Sequence, residues 1–198
     1  MNEASHPYCA SLPEPAPARS SRTHGLAFAW GLAEATFFFI VPDVLLTRVA
    51  LRDFHASVIA SFWAVGGALV GGTALWFAAQ HNATQFLLNA FDWIPGISRE
   101  LIIRTAQSLD IHGLAALTAG ALSGQPYKLF AVHAGAQEIP LLAFLAASAA
   151  ARFARFTLTS TVVWLAGRVL RRQTPVFRLN LHASAWFAFY AAYFVLAR

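Results

Sequence analysis

The chain has 198 residues, of which 58% are hydrophobic and only 12% are charged, and its mean hydropathy is +0.54. Ordinary soluble domains carry about 25% charged residues, so this composition excludes that class and indicates an integral membrane protein. The pI is near 10.1, but the basic residues are almost all arginines grouped beside apolar segments, which is typical of topology signals and membrane-lipid contact rather than nucleic-acid binding. A lone Cys9 and scattered histidines predict no disulfide, no metal and no cofactor.

The first 23 residues differ in composition from the rest of the chain. They hold four of the nine prolines and few apolar side chains, so we predict a disordered N-terminal tail over residues 1–23. The apolar stretch that follows contains Glu34 and has no small-residue cleavage site, which argues against a signal peptide. A chain of this length predicts one domain, so residues 24–198 are assigned to a single membrane domain.

The first apolar unit, residues 25–53, is interrupted twice by residues that membrane helices avoid. Glu34 lies within its first arm, and Pro42 with Asp43 breaks the chain before a short second arm. The first arm is at the lower limit for crossing a bilayer and the second is far too short. Proline cannot continue a helix, so we predict a re-entrant helical hairpin with its tip at Pro42, lining a cavity.

The next unit is the least ambiguous membrane-spanning helix. No Asp, Glu, Lys or Arg occurs between Phe54 and Phe91, and Gly67 and Gly71 form a Gly-x-x-x-Gly spacing that lets another helix approach closely. Alternatively, these glycines are incidental components of a membrane helix. Residues 84–110 have a mixed pattern that predicts an amphipathic helix, a turn at Ile94-Pro95-Gly96 and a second interfacial helix.

Residues 111–140 predict a second re-entrant hairpin. An uncharged run too short to cross ends at Gly124, Gln125 and Pro126, and Lys128 follows two residues later. Both hairpins open with the tetrapeptide His-Gly-Leu-Ala, although such an identity is weak support in a chain of this composition. The order hairpin, long helix, hairpin, long helix is stronger support for an internal repeat, which is a transporter architecture.

The stretch from Pro140 to Gly167 has the length and apolarity of a spanning helix but carries Arg152 and Arg155 near its middle. A charge at this depth costs several kcal/mol unless it faces a partner or water. Three residues apart, the two arginines lie on one face of a helix. The alternative is two short helices with the arginines at the interface between them.

A last span is predicted over residues 181–197, which gives about three transmembrane helices and two hairpins that enter from opposite faces as an inverted repeat. With three crossings, the N-terminus is cytoplasmic and one face collects eight arginines against three on the other, in agreement with the positive-inside rule. The cytoplasmic set is Arg19, Arg22, Arg48, Arg52, Arg168, Arg171, Arg172 and Arg178, and the opposite set is Arg99, Arg104 and Arg198. The oligomeric state stays open, with a homo-oligomer among the alternatives.

Several short motifs in this order resemble the DedA-type membrane proteins, also called SNARE-associated or VTT-domain proteins, and among them a shorter YqaA-like branch. The resemblance covers residues 25–167. It rests on Glu34-Ala35-Thr36, Pro42-Asp43-Val44-Leu45-Leu46, Gly124-Gln125-Pro126-Tyr127-Lys128, Ala134-Gly135 with Phe144, and Arg152-x-x-Arg155-Phe156. The resemblance implies a multi-pass protein of the bacterial inner membrane that moves lipid phosphates, such as undecaprenyl phosphate, in a proton-linked manner.

The same resemblance implies roles for individual residues. Glu34 and Asp43 stand where the family has its first-hairpin acids. Lys128 stands one residue away from the second arginine of the family's hairpin motif, and Ser123 replaces the first arginine. Arg152 and Arg155 are candidates to replace that missing anion contact.

The charged residues support two hypotheses. In the first, Arg152, Arg155 and Lys128 bind a lipid phosphate headgroup, and two proton-accepting carboxylates compete for the same cations. In the second, the same charges only form ion pairs in a structural or assembly factor. An open, water-filled cavity favours transport, and a closed, fully paired cluster favours the structural role. No nucleophile and base occur at a usable spacing, so an enzyme is not predicted.

Overall fold

The computed structural model describes residues 17–196, and this part of the chain is all-helical, without a β-strand. Two helical stretches within it are long and apolar enough to cross a membrane, Phe54–Phe91 and Leu141–Arg172. The helices are α1 (Pro17–Thr36), α2 (Asp43–Ala50), α3 (Phe54–Ala78), α4 (Thr84–Phe91), α5 (Arg99–His112), α6 (Ala115–Ser123), α7 (Tyr127–Ala136), α8 (Leu141–Val169) and α9 (Pro175–Leu196).

The N-terminal boundary differs from the predicted one. Helix α1 begins at Pro17, so residues 17–23 are helical although the sequence places them in the tail. Proline is well tolerated in the first turn of a helix, where its missing N–H has no intrahelical partner in any case. Residues 1–16 of the predicted tail lie outside the described part of the chain.

Helices α1 and α3 pack against each other along glycines. A Cβ on Gly67 would lie 1.9 Å from the carbonyl oxygen of Phe28, and a Cβ on Gly31 would lie 2.0 Å from that of Ala64. Gly71 likewise faces α1, at the side chain of Ala35. The close approach predicted from the Gly-x-x-x-Gly spacing is therefore confirmed, and the partner is α1 of the same chain.

The two predicted interruptions coincide with breaks between helices. Residues 37–42 separate α1 from α2, and Gly124 to Pro126 separate α6 from α7. Gly124 has φ of +84°, a left-handed conformation that ends α6 and that favours glycine. The shared tetrapeptides occupy different positions: Gly25 is inside α1, whereas Gly113 follows α5 with a positive φ. The tetrapeptide identity therefore does not mark equivalent positions of a repeat.

Helix α8 is continuous over 29 residues, so the alternative of two short helices is wrong. It packs against α2, α3 and α6 and presents its arginines to an acid on α1 and an acid on α2. The predicted helix, turn and helix of residues 84–110 are confirmed as α4, a turn and α5. The predicted last span falls in α9, a 22-residue helix that packs against α2.

Candidate functional site

A buried ion pair joins α1 to α8. Arg152 Nη2 donates to Glu34 Oε2, and the two side chains are only 5% and 8% exposed. The Arg152 guanidinium also lies over the rings of Tyr127 and Phe156, 4.6 and 5.3 Å from their centroids. Breaking such a pair on one side leaves an uncompensated buried charge, so Glu34 and Arg152 hold each other in place.

A second ion pair joins the start of α2 to the same face of α8. Arg155 Nη2 donates to Asp43 Oδ2 over 3.0 Å, and Thr159 Oγ1 donates to Asp43 Oδ1 over 2.8 Å. Asp43 occupies the first turn of α2, where the helix dipole also favours a carboxylate. The Asp43 side chain is 1% exposed, whereas that of Arg155 is 19% exposed. Arg155 is thus the more accessible member of this pair.

Lys128 is the third buried cation, and it has no carboxylate within 4.0 Å among the described residues. Its Nζ donates to the carbonyl oxygen of Phe38 over 2.8 Å and lies 5.9 Å from the centroid of the Phe91 ring. The residue is 2% exposed. A carbonyl and a ring face offer partial charges only, so the positive charge of Lys128 is solvated by dipoles rather than neutralised.

Glu34, Asp43, Lys128, Arg152 and Arg155 form a largely buried charge cluster with one more cation than anion. Glu34 pairs with Arg152 and Asp43 pairs with Arg155, which leaves Lys128 as the cation without a carboxylate partner in the described part of the chain. If all five groups are ionised, the cluster carries one net positive charge. The structure therefore brings together all five charged residues predicted from the sequence and assigns the surplus to one of them.

The break between α1 and α2 is held by side chains from three helices. Trp30 Nε1 donates to the carbonyl oxygen of Ile40 over 2.9 Å, and the Val41 N–H donates to the Tyr190 hydroxyl over 2.9 Å. Lys128 supplies the third contact, to Phe38. These three contacts satisfy backbone polar groups within the break that helical hydrogen bonding does not pair.

The predicted hairpin-tip residues take different positions around this cluster. Pro42 is buried and directly precedes α2, and Pro126 directly precedes α7. Gln125 lines a small cavity between α6, α7 and α8 whose wall also includes Arg152 and Arg155. The cavity measures about 10 Å³, which is room for a single water molecule.

Sequence reasoning missed the polar contacts made by Thr159, Trp30 and Tyr190. Thr159 follows Arg155 by four residues, so helical spacing alone was a usable signal that both side chains share a face. Trp30 and Tyr190 are ordinary membrane aromatics in sequence, and only their positions show that their polar atoms satisfy the break. The residues that the structure describes contain no group of three His, Cys, Asp or Glu side chains arranged to hold a metal ion.

The described residues define an all-helical protein with a buried charge cluster and two helices able to cross a membrane. The chain is similar to an uncharacterized protein of Haemophilus influenzae, with 25% identity over 146 residues that cover 69% of this chain and 72% of the relative. No protein-family model matches the chain, and no solved structure matches it. The function is therefore inferred from the charged residues themselves.

Proposed function

We propose that this protein is a multi-pass transporter, a flippase or scramblase, that moves a lipid phosphate such as undecaprenyl phosphate across the bacterial inner membrane. The single observation that carries the proposal is the surplus buried cation. Within residues 17–196, Lys128 contacts a carbonyl and an aromatic ring but no carboxylate. A buried uncompensated charge is expensive in a membrane, and an anionic headgroup would offset that cost.

The arginines suit a phosphate monoester better than a lysine alone would. A guanidinium presents planar, paired donors that match phosphate oxygens, and both arginines lie one helical turn apart on α8. Arg155 is the more exposed of the two and therefore is the first contact for an arriving headgroup. Lys128 and Arg152 then complete the binding site at greater depth.

Glu34 and Asp43 are the coupling groups of the proposal. Each carboxylate now holds one arginine, so the described arrangement corresponds to a closed, ion-paired state. Protonation of a carboxylate releases its arginine for phosphate, and ionisation recaptures it, which links headgroup release to proton movement. The proposal includes a re-entrant arrangement of the two broken segments, with their tips at Pro42 and at Gly124 to Pro126. It also includes membership of the DedA-type family.

A structural or assembly factor is the second candidate, and one specific observation favours it. Both carboxylates are already paired, and the cavity beside the arginines has room for only one water molecule. In that function the charges would fix the broken helices against α8 and would bind no substrate.

A vesicle assay separates the two functions. The full chain is reconstituted with a polyprenyl phosphate, and the lipid that reaches the outer leaflet is measured with a membrane-impermeant phosphatase, with and without a pH gradient. Transport predicts faster exposure than in protein-free vesicles, loss in Arg155→Gln, and acceleration by the gradient. Arg99→Gln is the matched control, because Arg99 pairs with Asp92 at the surface, 85% exposed. If polyprenyl phosphate reaches the outer leaflet no faster than in protein-free vesicles, transport is contradicted and the structural function is favoured.

A further inference from the structure

A small cavity between α6, α7 and α8 is surrounded by residues whose buried polar atoms have no partner in the described part of the chain. These atoms are Gln125 Oε1, Tyr127 Oη, Ser148 Oγ and Arg152 Nε, and all four residues line the same cavity. Tyr127, Ser148 and Arg152 are 5%, 1% and 4% exposed. Buried polar groups almost always have a hydrogen-bond partner, so four exceptions around one cavity indicate a ligand.

The chemistry of the four groups favours an anionic oxygen. Arg152 uses Nη2 for Glu34, which leaves its Nε–H as a second, charged donor. The Tyr127 and Ser148 hydroxyls are close neighbours without a well-formed hydrogen bond, and each can donate to a further oxygen. Gln125 can present its amide NH₂ after a rotation of its terminal group.

The size of the cavity limits what can enter. About 10 Å³ accommodates one atom of oxygen size and excludes a whole phosphate group. Arg155 also lines the cavity and is partly exposed, so the remainder of a headgroup would extend toward Arg155. A single terminal oxygen can therefore be seated while the rest of its phosphate stays on the more open side.

We propose that this cavity binds one terminal oxygen of a phosphate monoester, with Tyr127 and Ser148 as the specificity-determining hydroxyls. The inference rests on the proposed transport of a lipid phosphate and identifies residues of that site beyond the charged cluster. Hydrogen bonds to a charged group are roughly twice as strong as neutral ones, so each hydroxyl is expected to contribute about tenfold to affinity.

If the Tyr127 and Ser148 hydroxyls bind a phosphate oxygen, removing them should weaken binding without lowering the stability of the protein. Burying a hydroxyl without a well-formed hydrogen bond is unfavourable for folding, so Tyr127→Phe and Ser148→Ala should leave the unfolding temperature unchanged or higher while weakening binding. Tyr127→Phe keeps the ring between Arg152 and Phe144, on which Tyr127 stacks. Thr157→Ala is the matched control, because Thr157 Oγ1 is also buried without a partner on α8 but lies away from the cavity.

The test measures equilibrium binding of geranyl phosphate, geraniol and inorganic phosphate to the full chain in detergent. Geranyl phosphate should bind the wild type and Thr157→Ala equally and bind Tyr127→Phe and Ser148→Ala about tenfold more weakly. Geraniol should not distinguish the four proteins. Unfolding temperatures of all four are recorded in the same detergent.

The remaining outcomes separate the two proposals. Equal binding of geranyl phosphate to all four proteins would overturn the oxygen site and leave lipid phosphate transport standing. If inorganic phosphate binds in a manner that depends on Tyr127 and Ser148 but geranyl phosphate does not bind, the oxygen site is supported and lipid phosphate as the substrate is contradicted. If neither phosphate binds the wild type, the cavity holds water only and both proposals fail.

Discussion

Lys128 and Phe38 are 90 residues apart in sequence, and the Lys128 Nζ donates to the Phe38 carbonyl oxygen over 2.8 Å. Phe38 belongs to the break between α1 and α2, and Lys128 follows the break between α6 and α7 by two residues. One hydrogen bond therefore connects the two interrupted segments. Lys128 is also a member of the proposed anion site, so one residue both stabilises the breaks and would bind the anion.

Two substitutions of Lys128 should separate its hydrogen bond from its charge. Lys128→Gln retains a donor for the Phe38 carbonyl, whereas Lys128→Met leaves that carbonyl without one at a cost of about 1–3 kcal/mol. We expect only Lys128→Met to be clearly destabilised in thermal unfolding, and we expect both to lose phosphate binding. Wild-type phosphate affinity in Lys128→Gln would show that its charge is not used.

The Glu34–Arg152 pair should show strong energetic coupling. Glu34→Gln or Arg152→Met alone leaves a buried group without its partner and should cost about 3–5 kcal/mol, whereas the double variant should recover part of this loss. A double-mutant cycle by chemical unfolding in detergent measures the coupling. The control cycle is Glu100→Gln with Arg104→Met, an exposed pair whose coupling should stay within about 0.5 kcal/mol. Equal couplings in the two cycles would contradict the burial of the Glu34 pair.

Adjacent glycines on α3 offer a sharp test of the contact with α1. Gly67→Ala places a Cβ 1.9 Å from the Phe28 carbonyl oxygen, so the helices must separate at a cost of about 1–3 kcal/mol. Gly66→Ala meets only the Phe28 ring at 3.8 Å and replaces a poor helix former with a good one, so stability should be unchanged or higher. Thermal unfolding of the two variants measures the difference, and similar values would refute the close packing of α1 on α3.

The predicted orientation, which rests on the arginine distribution, can be tested by labelling. In a Cys9→Ser background, a cysteine appended after Arg198 should react with an impermeant maleimide added outside intact spheroplasts. Gln173→Cys, in the exposed turn after α8, should react only after permeabilisation. The reversed pattern, or labelling of both sites from one side, would contradict the proposed three crossings.

The parts of the fold that depend on local chemistry were predictable. Proline fixes its own φ and cannot continue a helix, and glycine alone adopts a positive φ readily, so the breaks at Pro42 and at Gly124 to Pro126 could be located from the residues alone. Apolar length likewise located the two helices able to cross a membrane. The five charged residues that make the two ion pairs and the Lys128 contact could also be picked out, because ionisable groups inside apolar segments are conspicuous.

The pairing of those charges depended on tertiary structure. Glu34 and Arg152 are 118 residues apart and Asp43 and Arg155 are 112 apart, and no local rule relates residues at such distances. The packing of α1 on α3, and of α2 and α3 on α8, decides which acid meets which base. The sequence by itself determined that two acids and three bases lie within or beside long apolar segments. Only the packing decided that each arginine meets a carboxylate and that Lys128 meets none among the described residues, because ion pairing requires atoms within a few ångströms.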